Sequence, residues 1–173
     1  MVSTGHKVII FRKRIAGLSA STLDRFVLRA RKAIRLRDTV NVLVTGSREI
    51  RSLNRQFRGK DRPTDVLSFP SLPAEHGEAR HAAGDVAICM DIARENAGAL
   101  GHSLGDEIKI LALHGILHLA GFDHENDNGE MARKERQLRR TLKLERGLIE
   151  RMPDISRREK RTSRARGPKR RTA

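Results

Sequence analysis

The stretch Ser103-Leu104-Gly105-Asp106-Glu107-Ile108-Lys109-Ile110-Leu111-Ala112-Leu113-His114-Gly115-Ile116-Leu117-His118-Leu119-Ala120-Gly121-Phe122-Asp123-His124 decides how this chain folds. Ser103-x-x-Asp106 is a capping box, in which a serine hydroxyl accepts from a first-turn N–H, so a helix starts there. Ile108, Ile110, Leu111, Leu113, Ile116 and Leu117 lie all around that helix rather than on one stripe, which marks it as central and buried. Gly121 then ends it, because a glycine enters the left-handed region without a Cβ penalty.

Outward from this helix, the remaining signals are short. Val8 to Phe11 and Asn41 to Thr45 are β-prone apolar runs, with a helix between them that starts at Ser21-x-x-Asp24 and carries Leu23, Phe26, Val27, Ala30 and Ile34 inward. The other face of that helix is basic, with Arg25, Arg29, Lys32 and Arg35. Ser47 caps a second helix that runs through Ile50, Leu53 and Phe57 and stops at Gly59. Strands follow at Asp65 to Phe69 and Asp85 to Asp91, separated by a loop with Pro70, Pro73, Gly77 and Gly84. A short helix from Ile92 to Leu100 ends at Gly101, and a last amphipathic helix begins at Asp127-x-x-Glu130 with Met131, Leu138 and Leu142 inward. Strands and helices without regular βαβ alternation predict an α+β fold, a mixed sheet of about four strands packed against several helices. No internal repeat and no second core are visible, so residues 1–150 form one domain.

Within the central helix, His114 and His118 are four residues apart and therefore share a face. The turn at Gly121 delivers His124 as a third imidazole. Three neutral imidazoles leave one tetrahedral position of a zinc ion open, the pattern of a catalytic rather than a structural site. The spacing of histidines and glycine is that of metzincin-type zinc sites. Zinc proteases carry a glutamate directly after the first histidine as general base; here that residue is Gly115, which disfavours peptide hydrolysis. Zinc alone still lowers the pKa of bound water to about 7. Asp123 either orients an imidazole from behind or caps the turn. Three imidazoles also suit other divalent ions such as nickel. His76, His81 and His102 lie in loops and are read as exposed or incidental rather than as ligands.

A second informative segment runs from Leu53 to Phe69, where Arg55, Arg58, Lys60 and Arg62 crowd a helix end and a loop. On charge alone this is a solvated loop. If the fold brings it to the metal, a guanidinium there holds a phosphate in a bidentate grip.

Charge supports a polyanionic partner. The chain of 173 residues carries a formal +15. Residues 151–173 contribute ten Lys or Arg against Asp154 and Glu159, a net +8, and hold almost nothing apolar to bury, so this tail is expected to be disordered. It is either a solvated charge run or an arm that neutralises phosphates. No apolar run approaches the ~20 residues of a membrane span, and the first residues lack the order of a signal peptide, so a soluble cytoplasmic protein without membrane contact is expected. Cys89 is the single cysteine and is read as a buried thiol.

Phe57-Arg58-Gly59-Lys60-Asp61-Arg62-Pro63-Thr64-Asp65-Val66-Leu67-Ser68-Phe69, together with Gly84-Asp85 and His114 to His124, resembles the YbeY family of bacterial ribosomal RNA maturation factors over roughly residues 5 to 145. The resemblance implies a single-strand-specific, metal-dependent endoribonuclease. Its substrate would be ribosomal RNA, notably the 3′ end of the small-subunit RNA, with the small ribosomal subunit as partner and a part in ribosome quality control. It assigns His114, His118 and His124 to one zinc ion, with no small-molecule cofactor, gives His114 a catalytic part as well, and makes Arg58 the functionally important arginine beside the metal. Arg55, Lys60 and Arg62 join Arg58 as RNA-binding candidates. The alternative is an RNA-binding ribosome-assembly factor whose zinc is mainly structural.

Overall fold

A computed structural model of the chain describes residues 8–71, 82–124 and 127–144. The tail 151–173, His76 and His81 lie outside the described residues. The element order is β1 (Ile9–Phe11), α1 (Ala20–Ala33), β2 (Thr39–Thr45), α2 (Ser47–Arg58), β3 (Val66–Pro70), β4 (Ala82–Cys89), α3 (Met90–Leu100), α4 (Leu104–Leu119) and α5 (Glu130–Leu142). The four strands form one sheet in the order β1-β2-β4-β3. β1, β2 and β4 run parallel, and β3 pairs antiparallel with β4. This is the mixed sheet and α+β class that the sequence predicts.

The sheet is covered on both faces, and strand periodicity assigns each residue to one of them. Val86 and Ile88 of β4 join Val40, Val42 and Val44 of β2 in the main core with α1, α4 and α5. Ala87 and Cys89 face the other way, onto Ile50 of α2 and Leu67. Cys89 is thus the buried thiol expected of it. α4 sits between α1, α3, α5 and the sheet. Ile108, Ile110, Leu111, Leu113, Ile116 and Leu117 are all fully buried, as the unbroken apolar circumference requires.

Helix starts differ from expectation more than helix existence does. The α1 cap is Ser19, whose hydroxyl accepts from Thr22 N–H at 3.1 Å, and not Ser21, which stands one position inside the helix. The run Ser19-Ala20-Ser21-Thr22 offers two serines, and spacing to an acid selects the wrong one. α2 is capped by Gly46 without a side chain, and Ser47 is its first helical residue. Ser47 donates through N–H and Oγ to Asp91, both at 2.8 Å, so the acceptor at this helix end comes from α3. β4 ends at Cys89, and Met90 and Asp91 belong to α3, because an apolar run without alternation does not mark its own end. α4 is capped by Ser103, whose hydroxyl accepts from Asp106 N–H at 3.0 Å. α5 begins at Glu130 after Gly129, while the Asp127 carboxylate still caps it from outside, accepting from Gly129 and Met131 N–H at 2.7 and 2.6 Å. His102 has a structural role that its loop position does not suggest: its Nε2 lies 2.7 Å from Oε2 of the fully buried Glu107 and ties the end of α3 to the start of α4.

Gly115 is the position where α4 meets the sheet. A Cβ there would stand 2.6 Å from Val86 Cγ1 and 3.1 Å from Ser68 Oγ. The space a protease would give to its glutamate is therefore filled by β4 and β3. Gly115→Ala gains intrinsic helix propensity, yet the overpacking term of about 1–3 kcal/mol dominates. Urea unfolding of Gly115→Ala is expected to show a lower midpoint at unchanged slope, and Val86→Ala in the same chain to recover part of the loss. A variant as stable as the wild type would mean that α4 can move off the sheet.

Candidate metal centre

The three histidines converge because α4 ends as it does. Ala120 is the C-cap, Gly121 has φ of 90°, and Phe122 returns to the helix. Gly121 N–H donates to the His118 carbonyl at 3.0 Å and Phe122 N–H to the Leu117 carbonyl at 3.1 Å. These are the two bonds of a Schellman motif, and the accompanying apolar contact is available to Phe122, which packs on the main core. The chain therefore leaves α4 folded back along it, and His124 returns beside His118. Ring centroids are 4.8 Å apart for His114 and His118, and 5.3 Å apart for each of them with His124.

The donor atoms fit one metal ion. His114 Nε2 and His118 Nε2 are 3.1 Å apart, and one nitrogen from each of the three rings lies within 4.8 Å of the others. Two nitrogens at 2.0–2.1 Å from a tetrahedral ion lie roughly 3.3 Å apart, so the first pair is already at ligand spacing. Burial, together with the neighbouring His114 and His124 rings, pushes the His118 imidazole down to about 4. His118 is thus neutral at physiological pH, the form in which an imidazole binds a cation.

Behind the triad stands a residue that sequence reading does not pick out. Glu135 of α5 places Oε2 3.2 Å from His114 Nδ1, with both side chains almost wholly buried. An N–H on Nδ1 donating to that carboxylate leaves the Nε2 lone pair facing His118. A signal for Glu135 does exist in the sequence: it interrupts the inward stripe Met131, Leu138, Leu142 with an acid at helical spacing. An acid on an apolar face has to meet a partner in the core, because an unpaired buried carboxylate is costly.

In front of the triad opens a cleft of about 600 Å³. His118, His124 and Asp123 line it together with Arg58, Lys60 and Ser68. Arg58 is the last residue of α2, and Gly59 beyond it is left-handed with φ of 68°, which turns Lys60 toward the same opening. Of the four cations singled out in the sequence, Arg58 and Lys60 line this cleft; Arg55 and Arg62 do not. Arg62 holds the loop through its carbonyl, which accepts from the buried Asn54 amide at 2.7 Å. Asp61 is taken by Arg51 in a bidentate pair at 2.8 and 2.9 Å, which keeps this acid's charge matched close to the basic loop. Ser68 donates to the Gly115 carbonyl at 3.3 Å and joins the cleft floor to α4. Asp123 lines the cleft, and its charge acts on His118.

A small α+β domain in which three imidazoles meet at the glycine-broken end of a buried helix, beside a cleft also lined by cations, has the architecture of a metal-dependent hydrolase acting on an anionic substrate. Residues 6–143 match the Endoribonuclease YbeY family, and the chain belongs to that family. It is 56% identical to the Endoribonuclease YbeY of Koribacter versatilis over 144 residues, 83% of this chain and 91% of that protein. The corresponding protein of Solibacter usitatus is 44% identical over 144 residues, 83% of this chain and 93% of that one. The solution structure of TM1509 from Thermotoga maritima is similar with a TM-score of 0.52 at 27% identity, covering 95% of this chain and 100% of that one.

The Glu135 contact predicts a measurable split. Glu135→Leu, which keeps bulk and loses the acceptor, is expected to weaken zinc affinity about 10–100-fold in chelator competition. Glu135→Gln keeps an oxygen at the same place and should stand between the two. Unchanged affinity in Glu135→Leu would reduce Glu135 to a packing residue.

Proposed function

We propose that this chain, an endoribonuclease by family, cleaves single-stranded ribosomal RNA in the cytoplasm at a zinc centre held by His114, His118 and His124. The observation that carries the reading is the shared cleft, in which Arg58 and Lys60 line the same space as His118 and His124, of a volume large enough for a nucleotide. A zinc ion held by His114, His118 and His124 would supply Lewis-acid activation of water and neutralise charge at phosphorus.

The protein's own groups do the rest. Arg58, the last residue of α2, presents a planar guanidinium fork that matches two phosphate oxygens, and Lys60 adds a point charge beside it. Both stabilise the negative charge that grows on a phosphoryl centre as it reacts. Glu135 keeps a proton on Nδ1 of His114, so that the ring presents its other nitrogen. The cleft lacks a carboxylate where a protease has its base, since Gly115 is packed against Val86 and Ser68. That supports reaction at a phosphodiester, where electrostatic stabilisation carries most of the rate, over reaction at a peptide bond. Ribosomal RNA as substrate, and the small ribosomal subunit as the setting, follow from the family resemblance rather than from the geometry.

Cleavage of a single-stranded RNA by highly purified protein tests the reading. His114→Ala and His118→Ala are expected to abolish it, and Arg58→Ala to lower the rate about 10²–10³-fold, the effect of deleting one aligned donor to a developing anion. Histidine variants that cut as fast as the wild type would identify a contaminating nuclease. Chelation should remove activity while moving the melting temperature little, because the main core is assembled on α4 independently of the ion. Melting that collapses with chelation would favour the structural-zinc alternative.

A further inference from the structure

α1 and α5 pack against each other and against α4 on one side of the sheet. Their apolar faces fix which residues point outward. α1 buries Leu23, Phe26, Val27, Ala30 and Arg31, which leaves Arg25, Arg29 and Lys32 exposed at spacings of four and three. α5 buries Met131, Glu135, Leu138, Arg139 and Leu142, which leaves Arg133, Arg136 and Arg140 exposed at spacings of three and four. Each helix therefore presents one cationic stripe, and the stripes belong to neighbouring helices, whose axes lie roughly 8–10 Å apart. Against these cations the outer surfaces of the two helices carry only Asp24 and Glu130 as acids.

Such a face attracts a partner of opposite sign. The chain's own tail cannot supply it: residues 151–173 carry a net +8 and would repel it. The face is also connected to the cleft. Glu130, in the first turn of α5, lines the same small acidic depression as Gly121, Asp123 and Asp127, so α5 starts beside the segment that carries His124, and its cationic stripe begins one turn further on, at Arg133.

We propose that the outer faces of α1 and α5 form a second contact surface for the phosphate backbone of RNA, separate from the cleft. The choice of RNA among polyanions rests on the endoribonuclease reading above. Arg25, Arg29, Lys32, Arg136 and Arg140 contact phosphates without reading bases, and hold a long RNA so that a single-stranded segment reaches the cleft. A short oligonucleotide that fills only the cleft does not touch this surface.

The test compares the full chain with a face variant, Arg25→Gln, Arg29→Gln, Arg136→Gln and Arg140→Gln together, and with a control variant, Lys13→Gln, Arg14→Gln, Arg48→Gln and Arg94→Gln together. All eight side chains are exposed, so both variants should fold, as checked by circular dichroism and melting. The face variant is expected to bind a structured RNA of about fifty nucleotides more weakly, with the slope of log K against log salt shallower by roughly 3, at ~0.7–0.9 for each phosphate that is no longer neutralised. It should raise KM for that RNA and leave kcat/KM for a short single-stranded oligonucleotide unchanged. Equal losses in face and control variants, or a face variant that binds the long RNA as the wild type does, would overturn the proposal. So would loss of binding to anionic phosphatidylserine vesicles with RNA binding intact, which would make the face a membrane contact. If the wild type fails to cut the short oligonucleotide, the endoribonuclease reading falls, and the salt slopes still decide the face.

Discussion

The structure depends on burying α4 from every side while ending it in open space. Six large aliphatic side chains of this helix are fully withdrawn from water, each contributing about 1.5–3 kcal/mol relative to exposure as an upper bound. That stabilisation fixes the helix rigidly enough to carry imidazoles on its last turn. It also concentrates the polar cost at one place. His114 is the deepest of the triad, and a buried ring nitrogen without a partner would cost about 1–3 kcal/mol. Glu135 supplies the partner from α5, so the same helix that closes the core on one side orients the triad on the other.

The cleft follows from two closures. On one edge, the Schellman turn folds residues 121–124 back along α4, and the chain cannot continue in the helix direction past Gly121. On the opposite edge, α2 ends in a left-handed glycine, and the following loop is held by Asn54 and the Arg51–Asp61 pair. Between them the sheet edge brings Ser68 against the Gly115 carbonyl. The close approach of α4 to β4 at Gly115 sets the depth of the floor, and a larger residue there would lift the helix and with it the metal donors. The absence of the protease glutamate is thus a packing requirement of this fold as well as a chemical difference.

Long, strongly patterned features are legible in the sequence, and features made by pairs of distant residues are not. The apolar circumference of α4 and the i, i+4 histidines predict the central helix and the convergence of its imidazoles, because both are properties of one segment. The turn glycine at 121 predicts the return of His124 for the same reason. Helix starts are less legible: Ser19 and Ser21 look alike locally, and the acceptor at the start of α2 is Asp91, forty-four residues away. Strand order, with β4 between β2 and β3, is set by which faces need covering and has no local signature. Glu135 carries a local sign, an acid in an apolar stripe, but its partner can be named only with α5 placed beside α4. The division of the four loop cations into two at the cleft and two away from it requires the direction of each side chain.

Charge is distributed in a way that burial does not explain. Core formation needs none of the exposed cations, and a formal +15 on 173 residues works against compactness through self-repulsion. Local pairing relieves some of it: Asp61 is matched by Arg51, and Glu49 by Arg12. These pairs are exposed and contribute little stability each. What they change is where the remaining positive potential lies. Acids are matched by Arg51 and Arg12, while Arg58 and Lys60 line the cleft together with the imidazoles and Asp123. In such a concavity the low-dielectric walls focus the field, which draws a polyanion toward the metal donors rather than to the surface at large.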